Sequence, residues 1–263
     1  GKRDYPLDVG RVLLDKARAK CATVLNAHAY EIYFMGTGTE SCNQAVFGTY
    51  KAYIIQNKHS TEKKIPHIIT SLIEHPAVLE QVHALEKEGL VTVTYLPVYE
   101  DGIVKVKDVV QALTKETILV SVMYANNEIG TLQPVKEIGR ALDEWKRDFG
   151  RTFTSFPYFH TDACQAANYC NLDVLRLKVH LMTVNSSKVY GPKGVALLYK
   201  REGVRLEALI LGGGQERGLR SGTEQVALAY AFGVALEDAE KMREVESIRL
   251  RELRDYGVAK LAK

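Results

Sequence analysis

The sequence has few cysteines, little net charge and no long apolar run, and each of these absences excludes a class of protein. Four cysteines in 263 residues, none of them spaced as CxxC, do not make a disulfide framework, so we expect a reducing compartment. No apolar run approaches the roughly 20 residues of a membrane-spanning helix, so no membrane partner is expected. A formal net charge of +3 indicates neither a nucleic-acid partner nor an acidic lipid surface.

Repeats, low-complexity tracts and linker-like segments are also absent, and 46% hydrophobic with 25% charged residues is ordinary globular composition. A metal site built from His160, Cys164 and Cys170 is only weakly indicated, because no second close pair of ligands accompanies them. The first residues, Gly1 to Asp4, lead into a helical pattern instead of an apolar signal segment. We therefore expect a cytoplasmic protein, or a mitochondrial-matrix protein if a targeting segment precedes Gly1.

Strand-like and helix-like patterns alternate along the chain. Short apolar segments typical of strands are found at 31–34, 67–71, 91–96, 118–123, 157–161, 181–184, 195–199 and 209–211. Helical periodicity covers 14–25, a stretch from about 40, 76–88, 135–149 and 225–263. This alternation predicts one large α/β domain with a mostly parallel sheet and helices on both of its faces.

Polar residues follow most of the predicted strands. In an open parallel sheet, ligands bind beyond the carboxyl ends of the strands, so we expect these residues to share one edge of the sheet. They are Gly38-Thr39-Glu40-Ser41, Glu74-His75, Asn126-Asn127-Glu128, Asp162 with Gln165, and Asn185-Ser186-Ser187-Lys188.

An acid after one strand and a lysine after the next suit pyridoxal phosphate (PLP), whose ring nitrogen needs an acid and whose aldehyde needs a lysine. A lysine amine is normally protonated at neutral pH, so burial and a neighbouring positive ring are needed to make it a nucleophile. Asp162 would keep the ring nitrogen protonated, and Lys188 would supply the amine. On position alone, a solvated Lys188 in a loop and an Asp162 that caps a helix explain the pattern equally well.

The turn Gly36-Thr37-Gly38-Thr39 lies between a predicted strand and a helix, where backbone amides can bind a phosphate or simply connect the two elements. It fails the dinucleotide fingerprint because Ser41 stands at the third glycine position, which disfavours a nicotinamide-binding Rossmann enzyme. His75, just before a helix start, suits ring stacking and proton transfer, and it equally suits helix capping. Asn127 suits contact with a ring hydroxyl, and it equally suits a turn.

Six segments, in order along nearly the whole chain, resemble the cysteine desulfurases of the class V aminotransferase family, which serve iron–sulfur cluster assembly and sulfur transfer. The segments are Thr39-Glu40-Ser41 with Asn43, Glu74 to Leu79, Asn126 to Gly130, His160 to Gln165, Lys188 to Gly194, and Gly212 to Arg217 with Arg220 to Thr223. The resemblance implies the large domain of a PLP-dependent transferase of fold type I, with a mostly parallel seven-stranded sheet. It implies a PLP-binding domain over 1–240 and, over 241–263, a long helix leading towards a small C-terminal domain.

The resemblance also implies roles for ten residues. Lys188 would be the Schiff-base lysine, His75 would stack on the ring and help move protons, and Asp162 would pair with the pyridinium nitrogen. The other implied contacts are Asn127 and Gln165 on the ring-hydroxyl side, Gly38, Thr39, Asn185 and Ser187 at the phosphate, and Thr223 at the phosphate of the neighbouring subunit of a homodimer.

The activity that the resemblance implies is removal of sulfur from L-cysteine, which leaves alanine and an enzyme persulfide. A sulfur-acceptor or scaffold protein would take the sulfur, and nucleic acid would enter only indirectly, through tRNA sulfur transfer. The alternatives are a selenocysteine lyase, and a non-catalytic truncated homolog that acts as a scaffold.

The sequence departs from the family pattern in three places. Asn185-Ser186-Ser187 precede Lys188 where the family has Ser-Gly-His, and the family's first strand with its Asn-Pro segment is absent. The small domain, with its persulfide cysteine and its substrate-binding arginine, is absent as well. We therefore expect the chain to bind PLP better than it turns over cysteine.

Overall fold

The computed structural model describes residues 7–62 and 64–262, and a seven-stranded sheet lies at its centre. The strands lie in the order β1-β7-β6-β5-β4-β2-β3, and β7 alone is antiparallel to its neighbours. They are β1 (Ile32–Met35), β2 (His67–Ser71), β3 (Thr92–Leu96), β4 (Thr117–Ser121), β5 (Tyr158–Asp162), β6 (Leu181–Asn185) and β7 (Ala196–Lys200). The prediction of a mostly parallel sheet is confirmed.

Helices cover both faces of this sheet, as predicted. One face packs against α1 (Leu7–Leu25), α4 (Val106–Ala112), α5 (Val135–Asp148), α6 (Val174–Leu177) and α7 (Val226–Leu261), and the other against α2 (Gly38–Gln56) and α3 (Pro76–Lys87). Side chains that alternate along β7 enter opposite cores: Leu197 faces the α1 and α7 side, whereas Leu198 faces α2. The apolar runs are therefore buried on both sides, as in other covered sheets.

Three details differ from the sequence-based expectation. The predicted strand 209–211 is wrong: only an isolated bridge between Ile210 and Arg220 forms there, and Leu211 is 82% exposed. An apolar run that is not covered gains little by joining a sheet. The short helices α4 and α6 were not predicted, because seven and four residues are too few for an apolar face to recur over several turns.

The structure gives no support to the weakly indicated metal site at His160, Cys164 and Cys170. Both ring nitrogens of His160 are already bonded, Nδ1 to the Ser121 hydroxyl (2.9 Å) and Nε2 to the Thr183 hydroxyl (3.1 Å). Within residues 7–62 and 64–262, no three His, Cys, Asp or Glu side chains form a group that could hold a metal ion.

Helix α7 runs without interruption across position 240, so the proposed division at that position stays a prediction. Over the part of the chain that the structure describes, no helix has the apolar length that a bilayer crossing requires.

Candidate active site

A cleft opens at the carboxyl ends of β2, β4, β5 and β6, beside the N-terminus of α2. Eight of the ten predicted site residues line it: Gly38, Thr39, His75, Asn127, Asp162, Gln165, Asn185 and Lys188. Ala77, Met123, Ala125 and Cys164 complete the lining. The end-of-strand rule thus brought together residues that are more than a hundred positions apart in the chain.

The other two predicted residues lie elsewhere. Ser187 is exposed in the 3-10 turn Ser186–Lys188, and its backbone N–H donates to the Asn185 side chain (3.3 Å). Thr223 lines a separate cleft beside α1, together with Arg18 and Arg217. Its predicted contact with a neighbouring subunit stays a prediction.

Asp162 ends β5 as a nearly buried carboxylate, 7% exposed. Its Oδ1 accepts the backbone N–H of Cys164 (2.9 Å), and its Oδ2 receives only the thiol of Cys42 (3.8 Å). No Lys, Arg or His forms an ion pair with it among the described residues. A buried carboxylate without a cationic partner is costly, so the site suits a ligand that brings a positively charged N–H.

Backbone amides at the start of α2 form the other end of the cleft. Thr37 caps this helix, because its hydroxyl accepts the N–H of Glu40 (3.0 Å), and this leaves the first two helical N–H groups, of Gly38 and Thr39, without an intrahelical acceptor. A Cβ at Gly38 would lie 3.2 Å from Cys164 Sγ and 3.3 Å from Asn185 Nδ2. The absence of a side chain there, the two amides and the helix dipole suit a phosphate-sized anion.

His75 occupies both of the roles considered from sequence. It is the N-cap of α3, and its Nδ1 accepts the backbone N–H of Ala77 (3.0 Å). The network therefore places the proton of the neutral ring on Nε2. The exposed ring also lines the cleft, so one side of the imidazole is anchored while the other is available to a ligand.

Lys188 closes the 3-10 turn that follows β6, and its exposed side chain lines the same cleft as Asp162. The burial expected of a nucleophilic lysine is therefore not found at Lys188 in this chain. The Lys188 carbonyl accepts a hydrogen bond from the side-chain amide of Asn168. The acid and the amine therefore come from the ends of two adjacent parallel strands.

Sequence reasoning missed Glu74 as a buried acid next to the site. Glu74 is 4% exposed, and its Oε1 accepts the Ser71 hydroxyl (2.6 Å) and the Met123 N–H (2.7 Å), while its Oε2 has no partner among the described residues. Burial raises the pKa of Glu74 to about 8, and the charge of Asp162 adds to this effect. Nothing in the sequence distinguishes this glutamate from a solvated one.

Comparison with known proteins identifies relatives for nearly the whole chain. The family model Aminotransferase class-V matches residues 11–263. Cysteine desulfurase IscS of Clostridium botulinum is 43% identical over 247 residues, covering 94% of this chain and 57% of its own length. Human cysteine desulfurase is 40% identical over 252 residues, covering 95% of this chain and 51% of its own length. The chain thus spans only about half the length of these curated relatives.

Solved structures agree with this comparison. A NifS-like protein, 35% identical, superposes with a TM-score of 0.87 over 99% of this chain and 67% of its own. SspA in complex with cysteine, 34% identical, superposes with a TM-score of 0.76 over 88% of this chain and 61% of its own. From the fold, the cleft and a family match over residues 11–263, we conclude that the chain belongs to the class V aminotransferase family.

Proposed function

We propose that the chain carries the PLP-binding part of a cysteine desulfurase, an enzyme that removes sulfur from L-cysteine and leaves alanine. One observation carries the proposal: the nearly buried Asp162, without a cationic partner among the described residues, lines one cleft with Lys188 and an anion-binding helix start. PLP has a protonated ring nitrogen, an aldehyde and a phosphate, which match these three features in kind.

Each cleft residue then has a distinct task. Asp162 would keep the proton on the ring nitrogen, and His75 would cover the ring and move protons through Nε2. Lys188 would provide the amine that holds the aldehyde and would carry a proton to or from the substrate. When bound, PLP supplies an electron-accepting ring that stabilises negative charge on the substrate.

The remaining predicted residues hold the periphery of the cofactor. Gly38 and Thr39 would hold the phosphate from the start of α2, and Asn185 would do so from the end of β6. Ser187 does not line the cleft, so its contact with the phosphate stays a prediction. Asn127 and Gln165 contact the ring-hydroxyl side, and neither side chain is occupied by another hydrogen bond among the described contacts. Thr223 reaches a second subunit of a homodimer.

None of the four cysteines suits the role of sulfur acceptor. Burial raises the pKa of the Cys21 and Cys170 thiols, to about 12 and about 11. Burial, and then the charge of Asp162, raise the pKa values of Cys42 and Cys164 well above the ordinary range. A thiol must ionise to be a nucleophile, so we propose that the persulfide forms on a cysteine outside these residues.

The relatives support cysteine as the substrate. The relatives from Clostridium botulinum and human are named cysteine desulfurases, and the solved SspA structure is in complex with cysteine. Neither a selenocysteine lyase nor a non-catalytic scaffold has comparable support. A sulfur-acceptor or scaffold protein as partner, and a cytoplasmic or mitochondrial-matrix location, complete the proposal.

The test is reductive trapping of added PLP on the purified chain. The Lys188 amine attacks the aldehyde carbon, water leaves, and borohydride delivers a hydride that converts the C=N bond into a stable secondary amine. Peptide mass spectrometry should find the label mainly on Lys188, and Lys188→Ala should remove it while Lys193→Ala, in the same loop, should not. A label that prefers Lys193, or that survives Lys188→Ala unchanged in amount, would overturn the proposal.

A further inference from the structure

The turn that carries Lys188 is closed by backbone hydrogen bonds between the residue two positions before the lysine and residues that follow it. The carbonyl of Ser186 accepts two backbone N–H groups, from Val189 (3.0 Å) and Gly191 (3.0 Å). A Cβ at Gly191 would lie only 2.3 Å from the Ser186 hydroxyl oxygen, so this close approach requires glycine. Tyr190 between them adopts a left-handed conformation with φ of 60°, which a non-glycine residue does only when its surroundings impose it.

The peptide group between Lys188 and Val189 is held at both of its polar atoms: the Val189 N–H donates to the Ser186 carbonyl (3.0 Å), and the Lys188 carbonyl has a partner of its own. The Lys188 carbonyl accepts from the Asn168 side-chain amide, and no other donor reaches this oxygen among the described residues. Asn168 follows Asp162 and Gln165 within one compact turn. That turn is rigid, because the N–H groups of Ala166 and Ala167 both donate to the carbonyl of Ala163 (3.1 Å each) and these alanines are buried.

Asn168 thus joins the two chain segments that carry the acid and the amine. The β5–β6 ladder ends with Asp162 beside Thr183 and with a bond from the Ala163 N–H to the Thr183 carbonyl (2.9 Å). The bond from Asn168 to Lys188 connects the two segments beyond this end of the ladder. Asn168 does not line the cleft, so it acts through Lys188 and not on a ligand.

We propose that Asn168 is a positioning residue: by holding the Lys188 carbonyl, it sets the amine relative to Asp162. The inference rests on the proposed function, because the distance matters only if one rigid ligand must meet both groups. A flat ring held at Asp162 places its aldehyde at one point. Loss of the bond lets Lys188 adopt other orientations, and a misplacement of about 1 Å can cost a hundredfold in rate.

The experiment measures the rate of reductive PLP labelling at Lys188 relative to Lys193 in the same protein. Asn168→Asp keeps the shape but turns a donor into an acceptor that repels the carbonyl, and Asn168→Ala removes the side chain. We expect both variants to lower the ratio of the labelling rates at Lys188 and Lys193 by about tenfold. The melting temperature should change little, which would show that the fold is kept.

Asn57 offers a matched control for the loss of a side-chain amide donor. Asn57→Asp removes the same kind of bond, from a side-chain amide to the carbonyl of Tyr53 (2.9 Å), at the distant end of α2, and it should leave the labelling ratio unchanged. If the unmodified chain already shows no preference for Lys188, the proposed function fails. If it prefers Lys188 and both Asn168 variants keep that preference, the proposed function stands and the role of Asn168 is refuted.

Discussion

Lys146 offers the sharpest test of how burial governs charge in this protein. Its side chain is 1% exposed, and its Nζ lies 2.7 Å from the Phe153 carbonyl and 3.0 Å from His180 Nε2. His180 Nδ1 accepts the backbone N–H of Phe159 (3.0 Å), which places the imidazole proton on Nε2. A charged ammonium cannot donate to an N–H, so this contact favours the neutral amine of Lys146.

Burial lowers the pKa of Lys146 from 10.5 to about 7. The folded state therefore binds this proton more weakly than the unfolded state, so stability rises with pH between about 7 and 10.5. A shift of this size corresponds to about 5 kcal/mol, with a slope of about 1.4 kcal/mol per pH unit inside the window. The loss of unfolding free energy caused by the buried lysine is complete below pH 7, and it disappears above pH 10.5, the pKa of the lysine in the unfolded chain.

Lys146→Met should remove this dependence while it keeps the buried aliphatic stem. The Phe153 carbonyl retains the His180 Nε2–H as a donor (2.9 Å), so no new unpaired group is created there. The free energy of unfolding of the variant should exceed that of the unmodified chain by most near pH 7, and this excess should shrink by about 1.4 kcal/mol per pH unit up to pH 10. Other titrations occur in both proteins and cancel in the difference.

Reversible urea unfolding at several pH values measures this difference. Lys200→Met is the control, because Lys200 also donates to a backbone carbonyl (Val204, 2.9 Å) but is only half-buried. The change in unfolding free energy caused by Lys146→Met should vary with pH much more than the change caused by this control. A change for Lys146→Met that does not vary with pH would refute the neutral amine.

Three further predictions concern stability. Burial raises the pKa of Glu74 to about 8, so the unmodified chain should lose stability relative to Glu74→Gln as the pH rises from 4.5 to 8. Urea unfolding should show the variant gaining up to about 1.4 kcal/mol per pH unit in this range, and a difference in unfolding free energy that does not change with pH would contradict the prediction. Gly257→Ala, at a helical position with open space around it, should raise the free energy of unfolding by about 0.5–1 kcal/mol, and a loss would show a hidden contact. Glu216→Gln should lower the free energy of unfolding by about 3 kcal/mol, because it leaves Arg18 buried without its charged partner. Glu246→Gln, in the exposed pair with Arg249, should change stability little, and equal losses for the two variants would show that burial does not decide the value of these ion pairs.

The sheet and most of the cleft were predictable because they depend on short-range patterns. Apolar runs such as β4 mark strands buried on both faces, and the polar residue after each strand must then lie at one edge of the sheet. The positions of Asp162 and Lys188 in the cleft follow from this rule. Family resemblance added the roles, which position alone left open.

The remaining features depend on contacts that sequence does not encode locally. The segment 209–211 is as apolar as a strand, yet no neighbour covers Leu211. The burial of Glu74 and the bond from Asn168 to Lys188 arise from the packing of separate segments, so neither shows in a residue's own type or spacing. Thr223 lies on a separate cleft for the same reason: its loop is held by Arg220, which pairs with Glu40 on α2 (2.7 Å).

The reversed direction of β7 determines how the amine-bearing segment is tethered. A parallel successor to β6 would have required a crossover of a dozen or more residues, commonly through a helix. Because β7 is antiparallel, the chain returns at once, and both ends of the segment are held by the last residue pair of a single ladder, Asn185 opposite Ala196. The lysine therefore moves with the rigid centre of the molecule, and a disturbance at the far end of β7 reaches it through the main chain.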